Sequence, residues 1–82
     1  MKKTRKHAAR NLIGSKVREV RLRMKPEVSQ EDLAGRLAAQ GIQLDRSAIS
    51  RIENQERYVM DYEIAAIAKS LRVTVAELFG ER

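Results

Sequence analysis

Apolar residues in this chain recur at three- and four-residue steps from Leu12 to Phe79, and each run is bracketed by residues that start or stop helices. That period places apolar side chains on one face of a helix, whereas a half-buried strand requires strict alternation. No convincing alternating stretch is present. The chain is therefore read as all-α. With 82 residues and no cysteine, it has room for one modest core made by packed helices and no disulfide to staple it. A deep catalytic cleft is not expected at this size.

Five short helices are predicted. The first runs from about Asn11 to Met24, with Leu12, Ile13, Val17, Val20 and Met24 as its apolar stripe and Asn11 or Ser15 as its cap. Pro26 stops it by pushing Lys25 out of helical geometry. Ser29 caps the second helix, Glu31 and Asp32 complement its dipole, and Gly41 ends it. Leu33, Ala34, Leu37 and Ala38 form the expected buried stripe. Ile42 to Leu44 is a short anchored linker, and Asp45 caps the third helix. After a connector over 55–60, Asp61 is expected to cap a fourth helix, Tyr62 to Leu71, that buries Ile64, Ile67, Ala68 and Leu71. Thr74-Val75-Ala76-Glu77 matches a capping box for a final short helix through Phe79, closed by Gly80.

The third helix carries the chemistry. At about 100° per residue, Arg46, Ser47, Ser50, Arg51 and Asn54 share an arc of about 140°, while Ile49, Ile52 and the acid Glu53 point the other way. Arginine, serine and asparagine can donate to guanine edges, adenine edges and phosphates. Such a helix, apolar on one edge and donor-rich on the other, is suited to insertion into a nucleic-acid groove.

Charge supports this direction. The net charge is +6. Residues 1–25 hold ten Lys/Arg against the one acid Glu19, a net of +9, whereas residues 26–82 hold seven bases and ten acids, a net of −3. A concentrated positive segment captures polyanions. Residues 1–10 are read as a flexible basic arm and residues 11–82 as the folded domain. No apolar run approaches the roughly 20 residues needed to span a bilayer, and no apolar stretch follows the basic start as in a signal peptide. A cytoplasmic location is expected.

Catalytic and metal chemistry has little to stand on. His7 is the single histidine, so Ser15, Ser47 and Ser50 have no histidine within helical reach and no metal set is complete. Gly14, Gly35, Gly41 and Gly80 are isolated and form no phosphate-cradling loop. Asp61 and Glu63 are read as helix-start acids. Three aromatics, Tyr58, Tyr62 and Phe79, are too few for a single-strand stacking platform. No enzyme activity, cofactor or metal is expected.

In order and spacing, several segments resemble the Cro/C1-type (XRE-family) helix-turn-helix domain of small phage repressors and bacterial regulators. They are Val17-Arg18-Glu19-Val20-Arg21, Ser29-Gln30-Glu31-Asp32-Leu33-Ala34, Ser47-Ala48-Ile49-Ser50-Arg51-Ile52-Glu53-Asn54, the run from Ala65 to Val73, and Glu77-Leu78. The resemblance implies a compact five-helix bundle of the lambda-repressor-like type covering about Ile13 to Leu78. It implies base contacts by Arg46, Ser47, Ser50 and Arg51, and backbone contacts by Arg18, Gln30, Asn54 and Arg57. It also implies a structural pair, Arg21 with Glu53, between the first and third helices. Three departures stand out, one being a longer connection between the first and second helices with Pro26 inside it. The segment from Ala34 to Ile49 is longer than the family's usual spacing, so the second helix or its turn is extended. Gln55 stands where the family usually has glycine, which implies a left-handed residue or a different turn.

Double-stranded DNA is thus the expected partner, read in the major groove by the helix over 45–54 of a repressor-type regulator. One recognition helix per chain implies a homodimer on a palindromic operator with half-sites about 34 Å apart. Val75, Leu78 and Phe79 are the expected dimer surface, although the same residues would equally close the core. An antitoxin or a restriction or phage control regulator would share the fold and differ in protein partner. An adaptor that had lost DNA binding would have no need of Arg46, Arg51 and the basic first helix. A membrane-surface role conflicts with using Leu12, Ile13, Val17 and Val20 in the core.

Overall fold

The computed structural model describes residues 9–81, so residues 1–8 of the expected arm lie outside it. Five helices follow in order: α1 (Gly14–Arg23), α2 (Gln30–Ala39), α3 (Arg46–Glu53), α4 (Asp61–Leu71) and α5 (Val75–Leu78). No strand occurs among the described residues. Helix α2 packs on α3 and α4, and α1 packs on α3, α4 and α5. The fully buried Val17, Leu33, Leu37, Ile49, Ile67 and Leu78 are contributed by all five helices. Each buried side chain of this size contributes about 1.5–3 kcal/mol.

Local chemistry explains most of the boundaries. Ser29 Oγ accepts from Asp32 N (2.9 Å) while the Asp32 carboxylate accepts from Ser29 N (3.0 Å), a reciprocal cap that opens α2. Asp45 accepts from Ala48 N (2.8 Å) to open α3. Thr74 and Glu77 form the predicted box on α5. Gly41 has φ +82 and Gly80 has φ +84, both in the left-handed region that glycine adopts without a steric cost. The extra residues between Ala34 and Ile49 are used by a ten-residue α2 and a connector over 40–45, which Leu44 anchors in the core.

Several expectations require correction. Helix α1 starts at Gly14, three residues later than expected, because Asn11 holds the preceding turn: its Oδ1 accepts from Ile13 N (3.1 Å) and Gly14 N (2.8 Å). Leu12 is thrown outward by that turn and is 74% exposed, so it is not part of the stripe. Ala38 is exposed, since Leu33 and Leu37 define the face that α2 buries and Ala38 lies about 100° beyond it. Met60 occupies the N-cap of α4, and Asp61 is its first residue. Glu63 Oε1 reaches back to accept from Met60 N (2.9 Å), closing the entry turn from inside the helix in place of an N-cap side chain. Ile64 is only half-buried. Leu78 is fully buried under α4 and α1, which removes it from any dimer surface; Val75 and Phe79 beside it stay 42% exposed.

Candidate nucleic-acid interface

Helix α3 is held on one side only. Ala48, Ile49, Ile52 and Glu53 are buried, Ser50 is half-buried, and Arg46, Ser47, Arg51 and Asn54 are exposed. The arginine-serine edge therefore faces solvent, as the periodicity predicts. Asn54 is the C-cap of α3. Beyond it Gln55 adopts φ 62, the left-handed turn implied by its place in the family pattern.

One buried carboxylate fixes the roll of this helix. Glu53 Oε2 accepts from Arg21 Nε (2.7 Å), and its Oε1 accepts from Arg21 Nη2 (2.9 Å) and from Gln30 Nε2 (3.0 Å). Arg21 Nη1 also donates to Val28 O (3.0 Å). The Arg21 side chain is 8% exposed and that of Glu53 is 2%. The hydrogen-bonded Glu53 carboxylate holds the Arg21 guanidinium above its ordinary value, against the opposing effect of burial. The expected Arg21–Glu53 pair is present in bidentate form. The tie to Gln30 had no signal in the sequence.

The first turn of α2 and the N-terminal half of α3 border a common surface groove. Gln30, Asp45, Arg46, Ser47 and Ser50 line a shallow groove of about 400 Å³. Gln30 and Arg46 also line a neighbouring depression with Arg21, Glu27, Val28 and Ser29. The polar end of Gln30 thus stands at the edge of the outward face while one of its N–H groups is engaged by Glu53.

The remaining candidates lie further apart. Arg18 is exposed on α1 and lines neither depression. Arg51 and Arg57 share a third surface depression with Gln43 and Asp45. Arg57 Nη1 donates to Tyr58 O (2.9 Å) and to the buried Glu63 Oε1 (3.2 Å), which straps the connector to α4. At the other edge, Arg10 N donates to Gln55 O (3.0 Å) and its guanidinium lies 5.6 Å from the Tyr58 ring centroid. A cation over an aromatic face at that distance is attractive. Arg10 is thereby set against the turn that follows α3. Among the described residues no group of three His, Cys, Asp or Glu is placed to hold a metal ion, and no helix is long and apolar enough to cross a membrane.

A helix pair with its second member exposed along a donor-rich edge defines the chain as a helix-turn-helix DNA-binding domain. A sequence-family profile described as a Cro/C1-type HTH DNA-binding domain matches residues 18–80, and the chain belongs to that family. No curated protein and no solved structure matches it. DNA is the family's partner and regulation its role.

Proposed function

We propose that the chain is a sequence-specific regulator of transcription, of repressor type, that reads the major groove of double-stranded DNA with α3. The observation that carries this reading is the outward edge of Arg46, Ser47, Ser50 and Arg51, fixed in roll by the buried carboxylate behind it. Arg46 and Arg51 stand at either end of that edge and select guanines through bidentate contacts. Ser47 and Ser50 fill the space between them. Arg18, Gln30, Asn54 and Arg57 contact phosphates and set register. Arg57 does so with donors other than the Nη1 group that straps α4. The basic arm over residues 1–10 adds counterion-release affinity. Two copies bind a palindromic operator, and the half-exposed Val75 and Phe79 are the apolar groups offered for pairing.

Selection of bound sites from random duplex DNA at stated salt tests the reading directly. The expected result is a palindromic consensus containing guanines, with half-sites one helical turn apart. Recovery of no consensus, or equal binding to every duplex, would overturn it.

A further inference from the structure

Asn11 belongs to none of the groups assigned above, yet it is the most heavily engaged polar side chain between α1 and the reading helix. Its Oδ1 accepts from Ile13 N and Gly14 N, the unpaired donors at the start of α1. Its Nδ2 donates to Ile52 O (3.1 Å), in the last turn of α3, and to Arg57 O (2.9 Å), in the connector after it. A side-chain amide has two donor hydrogens and two acceptor lone pairs, and all four are used. The Asn11 backbone joins in, because Gln55 Nε2 donates to Asn11 O (3.0 Å). Beside it, Gly14 presses its backbone against Ile52 O so closely that a Cβ there would collide with it. One amide therefore closes the start of α1 and the end of α3 together.

Ile52 lies between Arg51 and Asn54, two of the outward groups, and its carbonyl belongs to the backbone that aims them. Arg46 lies five residues away from Arg51, about 7.5 Å along the axis at 1.5 Å per residue, and its end of the helix is held separately by the Asp45 cap. We propose that Asn11 is a positioning residue for DNA reading: it seats the C-terminal end of α3, and through that seat it sets base discrimination by Arg51 without touching DNA. The inference rests on the reading-helix assignment made above.

Asn11→Asp separates the two halves of the clamp. The carboxylate keeps both bonds to the start of α1, where the helix dipole favours it, but turns an oxygen toward the Ile52 and Arg57 carbonyls. The variant and the wild type are compared below their melting temperatures, first without DNA by amide hydrogen exchange. Faster exchange at Asn54, Gln55 and Glu56 with unchanged exchange in α1 is the expected result. Each base pair of the selected site is then substituted in turn. Discrimination at the pair read by Arg51 should fall by about ten-fold, while that at the pair read by Arg46 stays at the wild-type value. Asn11→Ser, which can cap α1 but cannot span to α3, should give the same split profile. Unchanged exchange at 54–56, or a discrimination profile that keeps its wild-type shape at every position while only the melting temperature falls, would overturn the proposal. A wild-type chain without sequence preference would instead remove the reading assignment beneath it, with the exchange result standing apart.

Discussion

Replacing Glu53 with alanine tests the physical basis of the reading face. The substitution takes away both acceptors of the Arg21 fork and the acceptor of Gln30 Nε2, and leaves a guanidinium that is 8% exposed with only Val28 O as a partner. Removing one partner of a buried pair costs about 3–5 kcal/mol. The lower end applies here, because Arg21 borders a surface depression through which water can reach the orphaned charge. About 3 kcal/mol in a chain of this size corresponds to a fall in Tm of about 12–24 °C. Thermal melts followed by circular dichroism at 222 nm measure it, with Arg46→Ala as the exposed control. The control should stay within about 0.5 kcal/mol of the wild type. The double variant Arg21→Met, Glu53→Leu should recover most of the loss, since apolar replacement of both partners removes the desolvated charge. The loss should persist in 1 M salt, unlike any contribution from the exposed Lys16, Glu19 and Arg23 group. A Glu53→Ala melt within about 4 °C of the wild type, less than 1 kcal/mol for a chain of this size, would refute the reasoning. So would a double variant no more stable than the single one.

Three further outcomes are expected. Arg46→Ala or Arg51→Ala should each weaken cognate binding by about 1–3 kcal/mol and relax preference at one base pair, measured by titration against substituted duplexes; equal loss on random DNA would remove the base-reading role. Gly14→Ala should destabilise by about 1–3 kcal/mol in chemical denaturation, because its Cβ meets the Ile52 carbonyl, a backbone group that cannot swing aside; a gain from alanine's helix propensity would show that α1 can retreat at no cost. The carboxyl of Asp32 is held below its ordinary value, chiefly by the backbone N–H of Ser29 and then by its side chain. A depressed carboxylate stabilises above its unfolded value of 3.8 and loses that contribution as the pH falls through the lower folded value. The difference in Tm between wild type and Asp32→Asn should therefore shrink as the pH is lowered from 6 to 2, and a constant difference would contradict the assignment.

Features repeated within a turn or two of chain were legible in the sequence. The third helix is the clearest case: period, cap and residue type agree over 45–54, and the outward and inward sets match the structure except that Ser50 is half-buried. Thr74 with Glu77 was readable for the same local reason, whereas at Gln55 the family pattern left a left-handed residue or a different turn open, and the structure has the left-handed one. Leu12 was misread because periodicity cannot show where a preceding turn ends, and the turn is set by Asn11. Asp61 was misread because capping by a carboxylate can be done from three residues inside the helix, as Glu63 does. The site's rigid framework was the least legible part. Gln30 with Glu53 and Asn11 with Ile52 join positions 23 and 41 residues apart, and no local pattern marks such pairs. Arg57 was assigned by pattern to phosphate, while the fold adds a second duty in strapping Glu63.

The two oxygens of Glu53 are shared among three helices, and this makes the DNA-reading unit indivisible. A protease cut between Met24 and Val28 that released α1 would leave the carboxylate with Gln30 as its one remaining donor, strip Ile52 and Arg57 of their amide clamp, and uncover the inner side of α3. The surviving piece would retain Arg46, Ser47, Ser50 and Arg51 and still have no fixed surface on which to display them. Clipping in that connector should therefore abolish DNA binding outright, leaving no competent fragment.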